Sequence, residues 1–130
     1  MNEELAFKAA FLEKQCQEFS ATIDNVNAKL FELDEFNKNL DFFAKTNNKE
    51  MLSSLGNGVY LKTELASKEL FVNAGAGVVI KKSPEETQGI VGSQIAELHE
   101  TRTRLVGQLE LYSHLLQQTV FELESSKDKK

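Results

Sequence analysis

The chain has 130 residues, the size of one domain, with 41% hydrophobic and 27% charged side chains, no tryptophan and one proline. Its formal net charge of -5 argues against a nucleic-acid footprint, and the sequence shows no basic stripe of the kind a phosphate backbone requires, so no nucleic-acid partner is expected. One cysteine excludes an internal disulfide, and no apolar run approaches the length of a membrane-spanning helix.

The start, MNEELAFKAAFLEKQ, carries acids where a secretory signal would be basic, so a cytoplasmic chain with no membrane partner is expected. From Asn2 to about Lys45 there is neither glycine nor proline. Leu5, Leu12, Phe19, Val26, Leu33 and Leu40 recur every seven residues, and Ala9, Cys16, Ile23 and Leu30 each follow one of them by four. This is the d/a seam of a coiled coil. A helix over 1–46 would be roughly 65 Å long, too long to lie within a compact domain, so it is expected to project. Cys16 falls in the seam as a small buried hydrophobe, because no cluster of positive charge lies nearby to activate it.

Beyond Asn47-Asn48 the apolar period changes to two. Strands are predicted at Glu50 to Leu55, Val59 to Leu65, Leu70 to Asn73 and Val78 to Lys81, giving two β-hairpins within 50–82. Gly56-Asn57-Gly58 and Ala74-Gly75-Ala76-Gly77 are the hairpin turns, and Ala66-Ser67-Lys68 connects the hairpins. A phosphate-binding loop at Gly75-Ala76-Gly77 is excluded, since the third glycine, the Lys-Ser/Thr pair and an immediate helix start are all missing. Isolated hairpins are not stable in water, and two narrow helices offer little cover, so the strands are expected to join those of another chain in a shared barrel.

Ser83-Pro84-Glu85-Glu86 combines an N-cap, a proline for the first helical position and a capping box. From it Val91, Leu98, Leu105 and Tyr112 recur every seven residues, with Ile95, Leu109, Leu116 and Leu123 as companions, so a second helix is predicted over 83–126. Arg102 and Thr119 are polar residues at seam positions and read as register devices. Two matched helices joined by a small β block fold back antiparallel, with residues facing each other when their numbers add to about 130. The expected architecture is α+β, mainly α: a single domain over 1–130 with a long antiparallel coiled-coil hairpin, two β-hairpins between its helices, and a short tail at 127–130.

At the far end of that hairpin, Phe7, Phe11 and Phe121 fall at f and c positions outside the seam, and Val120 at e. Large apolar groups on the wet side of a coiled coil read as a surface for transient hydrophobic contact. Catalysis has little to stand on. His99 and His114 are too far apart to share a metal, no serine or cysteine has a base partner, and the acids lie on convex faces. No enzyme activity, catalytic residue, metal or cofactor is expected.

The order of elements, together with LGNGVYLKTEL, FVNAGAGVVIKKSPEE and the flanking heptads, resembles the alpha class of the prefoldin family over essentially the whole chain. The second hairpin separates that class from the beta class. The resemblance implies a hexamer containing a second copy of this chain and four beta-class subunits, with the hairpins forming a double β-barrel. It further implies an ATP-independent holdase that grips unfolded client polypeptides between coiled-coil tips and passes them to a group II chaperonin. On that resemblance the client surface would be Leu5, Phe7, Phe11, Val120, Phe121 and Leu123. The assembly residues would be Val59, Leu61, Leu65, Leu70, Val72, Val78 and Ile80. Ser53-Ser54 departs from the family's more apolar first strand, which is therefore expected to be short or at an edge. A scaffold subunit that uses the same fold to join fixed partners is the alternative, and it would need patterned contacts along the arm rather than apolar tips.

Overall fold

The computed structural model describes residues 2–128, with side chains through residue 127. Its elements are α1 (Asn2–Lys45), β1 (Glu50–Gly56), β2 (Val59–Glu64), β3 (Leu70–Gly75), β4 (Val78–Lys82) and α2 (Pro84–Asp128). α2 thus runs two residues beyond the expected end at 126. Met1 and the last two tail residues, Lys129 and Lys130, lie outside the described residues. The chain divides into two compact units, one reaching to Glu32 and resuming at Ala96, the other spanning Leu33–Ile95.

In the first unit the heptad seam of α1 meets that of α2. Leu12, Ile23, Val26 and Thr119 are buried, and Leu5, Ala9, Cys16, Phe19, Leu105, Leu109, Tyr112, Leu116 and Leu123 are half-buried. A two-helix seam covers each side chain from one direction only, which is why so many of its residues stay partly wet. Phe19 packs edge-on against Tyr112 with ring centroids 5.2 Å apart. Cys16 Sγ lies 3.7 Å from Ser113 Oγ. Arg102 Nε donates to Asn27 Oδ1 at 2.7 Å, and Ser126 Oγ donates to Asn2 Oδ1. In each of these pairs the residue numbers add to between 128 and 131, so the helices run antiparallel in close to the expected register.

The two polar seam residues behave differently. Thr119 is buried, at 2% exposure, and its hydroxyl donates to the Leu115 carbonyl at 2.8 Å within its own helix. Arg102 is exposed instead, because its long stem carries the guanidinium out to Asn27 at the seam's edge.

In the second unit Leu33, Leu40 and Val91 are buried between the helix segments, with Pro84 and Thr87 beside them. The capping box forms as expected: Glu86 N–H donates to Ser83 Oγ at 3.0 Å, and Ser83 N–H donates to Glu86 Oε1 at 3.2 Å. The Ser83 N–H first, then the Ser83 hydroxyl and Lys82, hold the Glu86 carboxyl below its ordinary pKa. Asp41 is likewise held low, first by the Lys45 ammonium at 3.0 Å and then by Gln88, whose amide donates from α2.

Each hairpin is a separate two-stranded antiparallel sheet, β1 with β2 and β3 with β4. In both, the central turn pair has positive φ: Asn57 and Gly58 in the first, Ala76 and Gly77 in the second. This is the I′ geometry that matches strand twist. Before each turn the register shifts by one residue, between Ser54 and Gly56 and between Asn73 and Gly75. At each shift a side chain bonds the free N–H two residues on, Ser54 Oγ to Gly56 at 3.3 Å and Asn73 Oδ1 to Gly75 at 2.9 Å.

Ser53-Ser54 therefore does not shorten β1. With seven residues β1 is the longest of the four strands. Ser53 Oγ meets Thr63 Oγ1 at 3.0 Å across the ladder and Ser54 closes the bulge, so both serines belong to the strand. Leu65 falls just past β2. It is half-buried, and its N–H donates to the Lys49 carbonyl at 2.7 Å, closing the base of the hairpin.

Candidate interaction surfaces

The hairpins in the second unit form the first surface. Their ladders fix which residues share a face. In the second hairpin Leu70 pairs with Lys82 and Val72 with Ile80 on one side, and Phe71 pairs with Lys81 and Asn73 with Val79 on the other. In the first, Met51 opposite Thr63 and Ser53 opposite Leu61 share a face, backed by Leu52 opposite Lys62 and Ser54 opposite Tyr60. Of the residues named from sequence, Val59, Leu61, Val78 and Ile80 are exposed, while Leu65, Leu70 and Val72 are half-buried.

The exposed set is larger than sequence reasoning found. Met51, Leu52, Leu55, Tyr60, Phe71 and Val79 are also uncovered, so both faces of each hairpin carry large apolar groups. A period of two points to one apolar face and is silent about its reverse. At the root of α1, Phe42 and Phe43 line a notch of about 280 Å³ that Met51 closes from the start of β1.

Lys68, in the loop between the hairpins, fixes this block to the helix. Its Nζ donates to the carbonyls of Ala44 at 2.9 Å and Thr46 at 2.7 Å. Both are end-of-helix acceptors at the negative pole of the α1 dipole, where an ammonium is favoured.

The second surface lies in the first unit. Phe7 is 77% exposed, Phe11 53% and Phe121 71%, with Val120 at 38%. Leu5 and Leu123 are half-buried, consistent with their places in the d/a series. Phe7 and Phe11 are one helical turn apart on α1 and form one strip. Phe121 does not join it, because f positions on the two helices of a hairpin point away from each other. The ends of the helices thus present two apolar faces rather than one patch. Phe31 and Leu111 are exposed as well, and the same test of off-seam position would have found them.

The two histidines lie at separate places on α2. His114 Nε2 is 3.3 Å from the Gln118 amide, and His99 is exposed elsewhere on α2. No three His, Cys, Asp or Glu residues converge as metal ligands among the described residues.

Two long helices flanking two small antiparallel β-hairpins in chain order define a mainly helical class of subunit. A family model described as prefoldin subunit matches residues 12–126, so the chain belongs to the prefoldin family, a family of chaperones rather than enzymes, and it is of the alpha type. A protein described as prefoldin subunit alpha from Methanosphaera stadtmanae is 27% identical over 86 residues, which cover 66% of this chain and 62% of that relative. The match thus spans less than two thirds of the relative's length. Among solved structures, a filamentous PFD from Methanocaldococcus jannaschii superposes with a TM-score of 0.76 at 15% identity, covering 90% of this chain and 98% of that one. It shares the fold of two helices flanking two small hairpins. No helix among the described residues is long and apolar enough to cross a membrane.

Proposed function

We propose that this chain is the alpha-class subunit of a cytoplasmic, ATP-independent holdase. Through its hairpins it joins a second copy of itself and four beta-class subunits in a shared β-barrel. At its helix ends it holds unfolded polypeptides for transfer to a group II chaperonin. The observation that carries this reading is the exposure of Phe7, Phe11 and Phe121 on helices whose seams are already filled.

Area supports the assembly half. Much of the large apolar surface is on the hairpins, where strand edges are unpaired. For the client half, each exposed phenylalanine can contribute about 1–3 kcal/mol when covered. Several such weak contacts on separate arms hold a client through effective concentration, yet each can release without nucleotide.

The test has two arms. Mixing the chain with a beta-class prefoldin subunit should give a native mass fitting two of these chains with four partners. Charging Val78 and Ile80 to aspartate should abolish it, and a full-sized complex from that variant would refute the shared barrel. Replacing Phe7, Phe11 and Phe121 by serine should leave assembly intact and weaken suppression of client aggregation. Unchanged suppression would remove the tip model and leave a scaffold role.

A further inference from the structure

The first hairpin turns on Asn57-Gly58, the one place in the sequence where an asparagine precedes a glycine. That dipeptide carries chemistry of its own. The backbone nitrogen of the second residue can attack the side-chain carbonyl carbon of the asparagine and close a five-membered imide, and glycine, having no Cβ, leaves that nitrogen unshielded. Both residues are exposed, and a Cβ built at Gly58 would meet nothing within 4 Å. Among the described residues neither the Asn57 side-chain amide nor the Gly58 N–H has a hydrogen-bond partner, the nearest side-chain bond being that of Ser54 to the Gly56 N–H.

The closed turn withholds the reaction. In type I′ geometry the first central residue has ψ of roughly +30°, which sets the Gly58 nitrogen anti to the Asn57 Cβ and out of reach of its Cγ. The Cα–C bond must swing by more than a right angle before the two atoms meet, and that motion opens the turn. The reactive form is therefore an open hairpin. β1 and β2 pair only with each other, and Leu52, Leu55, Val59, Tyr60 and Leu61 are exposed. An uncovered two-stranded hairpin is marginally stable in water, so it opens readily. Cover from another chain's strands lowers the open fraction.

Resting on the assembly half of the reading above, we infer that Asn57 is a site of spontaneous covalent modification that marks chains whose first hairpin has stayed uncovered. In the open hairpin the Gly58 nitrogen gives up its proton and bonds to Asn57 Cγ, the Cγ–Nδ2 bond breaks, and ammonia leaves with the proton. Water then adds to one of the two imide carbonyls and breaks that carbon's bond to nitrogen. Opening at Cγ leaves an aspartate. Opening at the backbone carbonyl leaves an isoaspartate, whose main chain runs on through Cβ and Cγ. No oxidant or reductant takes part. Either product adds a negative charge to the turn, and the isoaspartate lengthens the main chain by one carbon, so a two-residue turn no longer fits the pairing of Gly56 with Val59. The second hairpin is spared, because at the matching place Ala76, with the same φ of 51°, precedes Gly77 and has no amide.

The test follows the tryptic peptide Glu50–Lys62 by mass spectrometry during incubation at mildly alkaline pH. Three samples are compared: the synthetic peptide, the full-length chain alone, and the full-length chain assembled with a beta-class prefoldin subunit. The readout is the amide-to-acid mass gain at Asn57, with isoaspartate identified by its separate elution. The rate should fall in that order, and in the free chain Asn57 should react ahead of every other asparagine. With the partner at about ten times its dissociation constant, the rate should drop about tenfold from that of the free chain. When aged chain meets fresh partner, the unassembled fraction should be enriched in isoaspartate, whereas aged Asn57→Ala, which copies the second turn, should assemble in full. A free chain that stays intact while the peptide reacts, an assembled chain that reacts as fast as the free one, or isoaspartate spread evenly between the two fractions would each overturn the inference. If native mass shows that no complex forms, the assembly reading falls and the marking role with it, while the free chain against the peptide still decides the modification site.

Discussion

Replacing Lys68 by methionine keeps the length of the side chain and removes the ammonium that ties the loop between the hairpins to the end of α1. The ammonium makes two short bonds, 2.9 Å to the Ala44 carbonyl and 2.7 Å to the Thr46 carbonyl, at a half-buried position. A hydrogen bond to a charged group is worth about 1.5–3 kcal/mol when the partner is left unsatisfied. Water can partly recover these carbonyls, so one bond rather than two is counted, and the helix-pole interaction adds about 0.3–1 kcal/mol. Lys68→Met should therefore destabilise the chain by about 2–3 kcal/mol, a drop of about 6–15 °C in Tm. Urea unfolding would read this as a lower midpoint at unchanged slope. Hydrogen exchange should quicken at Thr46, whose N–H bonds Phe42, and at Leu65, whose N–H bonds Lys49. Lys68→Arg, which keeps a donor with two-pronged reach, should recover part of the loss. A loss below about 0.5 kcal/mol in the methionine variant, with exchange unaltered, would show that water replaces the bridge at no cost and would refute the reasoning.

The turns give a matched pair of tests. Ala76 has the same φ of 51° as Asn57 in the other hairpin, and alanine in the left-handed region costs about 1 kcal/mol more than residues suited to it. Ala76→Asn should thus raise stability by about 0.5–1 kcal/mol in urea unfolding. Gly77→Ala should lower it by about 1–2 kcal/mol, through φ alone, since an added Cβ meets nothing within 4 Å. A destabilising Ala76→Asn with a neutral Gly77→Ala would reverse the assignment of the turn. For the capping box, the Glu86 carboxyl has its pKa depressed in the fold, so its stabilising contribution is present above the ordinary carboxylate pKa and is lost as pH falls through the folded value. Carboxyl NMR titration of the unmodified chain should place the Glu86 midpoint below the ordinary carboxylate value, and an ordinary midpoint would mean the box is not made in solution.

Much of the fold was legible because its signals are local. The seven-residue series in both helices, the positive-φ glycines of the two turns and the Ser83-Glu86 box each specify dihedral angles or a side-chain bond within a few residues. The off-seam test likewise picked out Phe7, Phe11 and Phe121 as exposed, since position on a helix wheel decides exposure wherever the partner covers only one stripe.

What local pattern leaves open is what happens where the chain returns to itself. Nothing around Lys68 announces that carbonyls more than twenty residues earlier will receive its ammonium. Ser53 and Ser54 look like a break in an apolar strand until Thr63 and the Gly56 N–H come to meet them. Arg102 and Thr119 share a seam pattern yet separate into an exposed and a buried residue, because one reaches Asn27 across the hairpin and the other satisfies its hydroxyl on Leu115 of its own helix. The residues by themselves determined the elements, their boundaries to within a few positions and the apolar periods. The tertiary structure alone decided which polar groups find partners and which apolar groups are left facing water, since both depend on contacts between segments far apart in the chain.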